Sequence, residues 1–408
     1  MKILKIKLHW QILIALFLAV LFGYYVPDGI KYTEWMGTIF LTALKMVIVP
    51  LILSSIISGV TSMGGGKNLG RLGGKTILYY ISTSLLAILT GLLLVNIIKP
   101  GVGVEMGFTN NVVDLSDKAG SVKDILMRII PSNIFSSMAE GDILPIIFFA
   151  IILGVFISQV DSKYSTLLTT FFEGLFEVMM KMTMFIIKFT PLGVFGIVSR
   201  EVQRNADQLG NLAGSMAIYM LTVVLALSIH AFVTLPLILR YFAKVNPAKH
   251  FKNMMTPLLT AFSTASSSAT LPLTMEAVEY ESGVSNKISS FTLPLGATIN
   301  MDGTALYECV AAMFIAQVYG IELHIIEQVL IVVTALLASI GAAGIPMAGL
   351  VMLTVVLTAA GLPLEGIGLI LAVDLPLDMA RTTVNVWSDS CGAVIVARSE
   401  NEITNIAI

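Results

Sequence analysis

Ser263-Thr264-Ala265-Ser266-Ser267-Ser268, with Pro272 close behind, cuts an apolar stretch at 250–283 into two pieces. Each piece is too short to cross a bilayer core, which takes about 20 apolar residues in a helix. The economical reading is a helical hairpin that enters and leaves on one side. A second stretch, 326–360, is cut in the same way by Ser339-Ile340-Gly341-Ala342-Ala343-Gly344-Ile345-Pro346. Each hairpin is followed by a longer helix: 288–319, broken around Asn300-Met301-Asp302-Gly303-Thr304, and 363–397, rich in polar residues. Hairpin plus helix thus occurs twice, starting from opposite sides of the membrane. Paired interrupted segments in corresponding halves of a chain point to a transporter's binding site.

The rest of the chain fits that reading. Of 408 residues, 56% are hydrophobic and 12% charged; ordinary globular domains carry about 25% charged residues. Mean hydropathy is +0.89. The fold class expected is an all-α polytopic membrane protein. Further spans are expected at 8–26, 36–60, 77–98, 143–160, 166–198 and 212–242, with an amphipathic stretch, 123–138, ahead of the short fourth one. The first follows Lys2, Lys5 and Lys7 without a small-residue cleavage site, so it reads as a retained helix. One set of loops collects most of the basic residues, including Lys67, Arg71, Lys75, Lys163, Arg240, Lys244, Lys249, Lys252, Lys287 and Arg398. That set belongs on the cytoplasmic side, which puts both termini inside the cell membrane. The balance of 24 basic and 26 acidic residues leaves no footprint for nucleic acid. Cys309 and Cys391 lie in apolar segments and imply no disulfide, and the four histidines lack metal-ligand spacing.

Charges inside spans cost at least a few kcal/mol and face a cavity or a partner. Positions 374, 378, 381, 382, 385 and 389 share one helical face that reads Asp, Asp, Arg, Thr, Asn, Asp. With Asp302 that makes four carboxylates against one guanidinium. Such carboxylates must carry protons or meet cations. Asn300, Asn385, hydroxyls and carbonyls freed at helix breaks are hard ligands, so the site asks for small monovalent cations, sodium first. Arg381 pairs with Asp378 or Asp374, or it holds a substrate carboxylate in bidentate geometry while Asp378 accepts a substrate ammonium. A ligand satisfying both is an amino acid with an acidic side chain. The hairpin tips add free backbone N–H groups suited to an α-carboxylate.

Four motifs now carry a resemblance: Ser266-Ser267-Ser268-Ala269-Thr270-Leu271-Pro272, Asn300-Met301-Asp302-Gly303-Thr304, Gly344-Ile345-Pro346, and Asp378-Met379-Ala380-Arg381-Thr382-Thr383-Val384-Asn385. Together, and in this order, they resemble the glutamate/aspartate transporter family, the dicarboxylate/amino acid:cation symporters. The resemblance runs along nearly the whole chain. It implies eight transmembrane helices plus two opposed re-entrant hairpins, inverted repeats, a homotrimer and an elevator-type movement. Residues 1–76 and 123–208 would form the trimerisation scaffold, and 77–122 with 209–408 the transport domain. The resemblance gives Asp378 the α-amino group and Arg381 the side-chain carboxylate. Ser267 and Asn385 would hold the α-carboxylate, Thr304 and Thr382 would line the pocket, and Ala265, Ser266, Ile345 and Gly349 would close over the ligand.

One implied sodium site uses Asp389 with carbonyls of Gly296, Asn300 and Asn385. A second uses carbonyls of Thr298, Ser339, Ile340 and Ala342, and a third combines Asp302 and Asn300 with Tyr80, Thr83 and Ser84. Two positions where family members often carry an additional arginine are Ala265 and Met379 here. Their absence leaves the choice of glutamate or aspartate, and potassium counter-transport, open. Glu308 matches proton-coupled animal members, where archaeal sodium–aspartate members carry Gln. A carboxyl in apolar surroundings can hold a proton, so Glu308 is the candidate for a coupled proton, against the reading of a structural hydrogen-bonder.

The stretch 63–76 ends in Gly-Lys-Thr but has Leu69 where a phosphate loop needs glycine, and it reads as a flexible cytoplasmic loop. His230 reads as a packing or hydrogen-bonded histidine. A neutral amino acid or C4-dicarboxylate carrier is the alternative within the fold; Arg381 argues against the first and Asp378 against the second. An intramembrane hydrolase would need a nucleophile–base pair that Ser266–Ser268 lack. A channel would conduct without substrate saturation. The expected activity is symport, not enzymatic.

Overall fold

The protein, seen in a computed structural model, is described over residues 8–62, 67–103, 130–204, 209–340, 347–371 and 373–407. Among these residues it is helical, with one isolated antiparallel bridge between Val245 and Ala407. The first part holds α1 (Leu8–Tyr25), α2 (Glu34–Ser62), α3 (Lys67–Ile98), α4 (Ile134–Glu140), α5 (Ile143–Ile157), α6 (Ser162–Ile187) and α7 (Thr190–Arg204). Helix α8 starts as Leu209–Ile229 and runs on through wide turns at His230–Thr234 and Leu239–Ala243, on either side of Leu235–Ile238. Then follow α9 (Pro247–Asn253), α10 (Met255–Thr264), α11 (Ser267–Glu276), α12 (Asn286–Ile299), α13 (Asp302–Val318), α14 (Ile325–Ile340), α15 (Ala348–Ala359), α16 (Ile367–Ile370) and α17 (Asp374–Ser399).

Three helices among the described residues are long and apolar enough to cross a membrane, over Glu34–Thr61, Arg71–Ile98 and Gly210–Ala243. Large apolar side chains face outward along them, Leu93 at 62% and Ile97 at 66% exposure. Lipid accepts such a surface and water does not. The chain is a membrane protein.

The structure differs from three expectations. The supposed loop at 63–76 is helical from Lys67 onward, as the start of α3, and only 63–66 lie outside the described residues. Leu72 and Thr76 are buried there, and Arg71 and Lys75 both pair with Glu400 beyond α17. Those contacts outweigh the helix cost of Gly70, Gly73 and Gly74, so the sequence boundary at 76/77 falls inside a helix. The single span expected at 166–198 is two helices, α6 and α7, bent by 53°. Pro191 in the first turn of α7 has no N–H to return to the preceding turn, and the chain bends just before it. The amphipathic stretch 123–138 is helical only from Ile134, where the Asn133 side chain accepts from Phe135 N; residues 104–129 lie outside the described residues.

Both interrupted stretches are pairs of helices that pack on one another. In the first, Ala265 takes φ +48° and stops α10, while Ser266, extended, caps α11 through a bond from Ala269 N to its hydroxyl. In the second, α14 and α15 pack on one another, and the residues between them, 341–346, lie outside the described residues. Packing sorts the helices into two groups. α2 packs on α5, α6 and α7, and α1 packs on α7. In the other group α13 is central: every residue but Gln317 is buried, and α3, α8, α14, α15 and α17 surround it. A helix apolar all round belongs in such a centre, which makes its buried polar residues, Asp302, Thr304, Tyr307 and Glu308, conspicuous.

Candidate substrate and cation site

The polar stripe of α17 is buried over its whole length: Asp374, Asp378, Arg381, Thr382, Asn385 and Asp389 are each 5% exposed or less. The helical spacing read from the sequence aims them at α12 and α13, the helices broken around Asn300, and at the first hairpin, while Met347 and Gly349 of the second hairpin reach Asp378 and Arg381.

Arg381 answers the pairing question by engaging both acids. Its Nε donates to Asp378 Oδ1 at 2.9 Å and its Nη1 to Asp374 Oδ1 at 3.1 Å. Tyr307 OH also donates to Asp374 Oδ1, at 2.7 Å, and the Tyr307 ring lies 4.1 Å from the Arg381 guanidinium carbon. Cation–π contact and shared carboxylates hold the guanidinium plane in place. The remaining nitrogen, Nη2, is ion-paired with Asp378 Oδ1 at 2.8 Å but makes no hydrogen bond of its own, so it keeps an N–H to offer. A buried donor of that kind, on a fixed guanidinium, has the chemistry to take an anion. Gly349 borders it: a Cβ there would come within 2.8 Å of Arg381 Cζ, so only glycine leaves the guanidinium its space.

Asn385 faces the start of α13, accepting from Gly303 N at 2.8 Å while its Nδ2 donates to Thr304 Oγ1 at 3.1 Å. From the first hairpin, Ala265, Ser266 and Ser267 are buried, and α10 and α11 both pack on α17. Ile345 lies outside the described residues. The proposed ligand-facing residues therefore come from both hairpins, α13 and α17.

Two acidic clusters sit deeper. At the break between α12 and α13, Asn300 Nδ2 donates to Asp389 Oδ1 at 2.9 Å and to Ser388 Oγ at 3.0 Å, leaving Asn300 Oδ1 buried without a partner. Gly296 allows the approach, since a Cβ there would meet Asp389 Oδ1 at 2.5 Å and Tyr80 OH at 2.8 Å. Tyr80 OH donates to Thr292 O at 2.7 Å. In the second cluster Asp302 is surrounded by donors: Ser84 Oγ at 2.6 Å and Thr83 Oγ1 at 3.3 Å on Oδ1, and Ser388 Oγ at 2.6 Å on Oδ2. His230 Nε2 stands 3.0 Å from Oδ2. Each hydroxyl can turn its proton aside and offer lone pairs, so an Asn carbonyl, hydroxyl oxygens and one carboxylate per cluster make a set of hard oxygen ligands.

The expected cation group of backbone carbonyls at Thr298, Ser339, Ile340 and Ala342 is described only in part. Thr298 keeps its hydroxyl on Leu295 O, and Ser339 its own on Leu336 O; among the described residues no side-chain bond joins the two. Ile340 ends α14 and Ala342 lies outside the described residues. Glu308, two turns into α13, is fully buried with both carboxyl oxygens unpartnered.

Sequence reasoning passed over Ser388, Tyr307 and the position of His230. Ser388 lies seven residues after Arg381 and Tyr307 three after Thr304, so helical spacing signalled both. Nothing local signals that His230, at the first wide turn of α8, meets Asp302.

The profile of the "Sodium:dicarboxylate symporter family" matches residues 8–399. A "Proton/sodium-glutamate symport protein" of Geobacillus stearothermophilus is 37% identical, over 98% of this chain and 96% of its own. A "Proton/glutamate-aspartate symporter" of Escherichia coli (strain K12) is 34% identical, over 98% and 95%. An "Excitatory amino acid transporter" of Caenorhabditis elegans is 37% identical, over 91% and 82%.

Proposed function

The chain belongs to the sodium:dicarboxylate symporter family, and from that membership we propose how its own residues carry the cargo. It is a secondary transporter, not an enzyme, and takes up acidic amino acids by sodium-coupled symport. Sodium and protons are the coupled ions named for its bacterial relatives. Both are cargo here, alongside the amino acid.

The observation that carries the site is the Arg381–Asp378 pair: a buried guanidinium with one nitrogen that is ion-paired but makes no hydrogen bond, beside a carboxylate with oxygens to share. Arg381 Nη2 takes the side-chain carboxylate of the substrate and Asp378 its ammonium. Ser267 and Asn385 receive the α-carboxylate, Thr304 and Thr382 line the pocket, and hairpin residues Ala265, Ser266 and Gly349 close over it. A neutral amino acid would leave the buried Nη2 unpaired, and a C4-dicarboxylate would bring no ammonium to Asp378, so each loses what a buried polar mismatch costs.

Sodium enters at the acidic clusters, one ion at Asp389 with Asn300 and the Gly296 and Asn385 carbonyls, another at Asp302 with Asn300, Tyr80, Thr83 and Ser84. The unpartnered Asn300 Oδ1 supports the first, and the hydroxyls around Asp302 support the second. Carboxylates without cations are costly in a membrane interior, so ion occupancy precedes closure of the hairpins. Glu308 carries the proton. In the wider architecture α1, α2 and α4–α7 form a trimerising scaffold, while α3 and α8–α17 form the body that moves as an elevator. The eight spans and two re-entrant hairpins leave both termini in the cytoplasm.

Calorimetry on the purified protein tests the site. L-aspartate or L-glutamate should bind in sodium buffer and not in choline buffer, and succinate and L-alanine should bind in neither. Equal binding of succinate would remove Asp378 from its role.

A further inference from the structure

The backbone at Met347 is in the left-handed region, φ +65° and ψ 6°, immediately before α15. Side chains other than Gly, Asn and Asp rarely hold that conformation, because Cβ crowds the following carbonyl. Strain of this kind persists where surrounding contacts over-determine it. The contact is explicit: Met347 N donates to Asp378 Oδ2 at 3.0 Å, across 31 residues of chain. Two residues on, Gly349 lies against the Arg381 guanidinium, which itself holds Asp378 Oδ1 at 2.9 Å. The first turn of α15 thus seats on both members of the Asp378–Arg381 pair, amide on carboxylate and glycine on guanidinium.

We infer that Met347 is a positioning residue: its left-handed turn delivers the amide that docks the second hairpin onto Asp378, and so sets how tightly that hairpin closes on the substrate. The inference rests on the reading of Asp378 and Arg381 as the substrate pair. One carboxylate serves all three partners: Oδ1 accepts from Arg381, Oδ2 accepts from the hairpin amide, and the second lone pair of Oδ2 is left for the ligand. Hairpin closure and ammonium binding are therefore coupled through a single group. The energy of the left-handed turn adjusts that coupling without touching the ligand.

The test is a series at one position, Met347→Gly, Met347→Asn, Met347→Ala and Met347→Val, read as KM for labelled L-aspartate in proteoliposomes under a fixed sodium gradient. Gly and Asn accept the left-handed turn, Ala bears the same cost as Met, and Val bears more. The expected order is KM lowered about threefold for Gly and Asn, unchanged within about twofold for Ala, and raised about fivefold or more for Val. If Gly and Ala shift together, side-chain bulk and not backbone conformation is responsible, and the inference falls. It falls equally if none of the four moves. Should the Val variant not fold, the Gly, Asn and Ala comparison decides alone. Amide hydrogen exchange over 348–359 in sodium, without amino acid, gives a readout independent of transport: slowest in Gly and Asn, fastest in Val. An inverted or flat order there overturns the docking role even if aspartate is not the cargo. Failure of the wild type to accumulate aspartate, with the exchange order kept, overturns the transport reading alone.

Discussion

Arg381 and Asp378 lie one helical turn apart on α17, and the guanidinium reaches the same carboxylate oxygen with two nitrogens while only one makes a hydrogen bond. The pair is thus held in register and incompletely satisfied. That combination suits a transport site, where the ligand must be bound specifically and released again. Asp374 and Tyr307 also hold the guanidinium, so Nη2 keeps its direction.

Replacing Arg381 by Lys keeps the charge and removes the planar fork. Uptake of acidic amino acids should fall at least tenfold in kcat/KM, about the value of one charge-assisted hydrogen bond in a buried site. Arg381→Cys should abolish acidic uptake and admit neutral amino acids. Radiolabel uptake with aspartate, glutamate, serine and alanine reads both; normal aspartate uptake by the Cys variant would displace Arg381 from the pocket.

Asp389→Asn retains the shape beside Asn300 and Gly296 and removes the charge. The half-saturating sodium concentration for uptake should rise by about tenfold, because a neutral ligand set binds a hard cation less well. Substrate affinity measured at saturating sodium should change little. An unchanged sodium titration would move the cation elsewhere.

Glu308 has two buried oxygens with no protein partner. In Glu308→Gln the position cannot exchange a proton, so the pH dependence of uptake should flatten between about pH 5 and 8 while uptake itself persists. The same pH profile as wild type would leave Glu308 a structural role only.

Beyond the C-terminal end of α17, the residues that follow fasten the second group of helices. Glu400 pairs with Lys75 at 2.6 Å and with Arg71, and Glu402 accepts from Ser285 Oγ at 2.5 Å. The Lys75 hydrogen bond, with Arg71 adding to it, holds the Glu400 carboxyl below its ordinary range. A depressed carboxylate stabilises above the unfolded value, about 4.3, and that contribution is lost as pH falls from there through the lower folded value. In detergent, Glu400→Gln should lower the melting temperature by about 1–2 °C at pH 7, since exposed pairs contribute little. The wild type and the variant should converge below about pH 4.

Much of the fold was legible in local chemistry. Ser266 caps a helix after Ala265 breaks one, and the chain turns where the Ser-rich interruption said it would. The stripe from Asp374 to Asp389 needed only the helical period. What escaped were contacts between distant segments. His230 and Asp302 are 72 residues apart, and no periodicity joins them. The glycines at 70, 73 and 74 suggested a loop because the partners that make α3 helical, Arg71 and Lys75 with Glu400, lie more than 300 residues away in the chain. Met347 carries no mark of its left-handed backbone, and the partner of its amide, Asp378, lies 31 residues further on.

The central claim is that sodium moving down its gradient carries an acidic amino acid held between Arg381 and Asp378. Uptake of labelled L-aspartate and L-glutamate into proteoliposomes, with an inward sodium gradient and with sodium equal on both sides, tests it most directly. Saturable accumulation above the external concentration should appear only with the gradient, and should be lost in Arg381→Cys. Accumulation indifferent to sodium, or none for either amino acid, would contradict it.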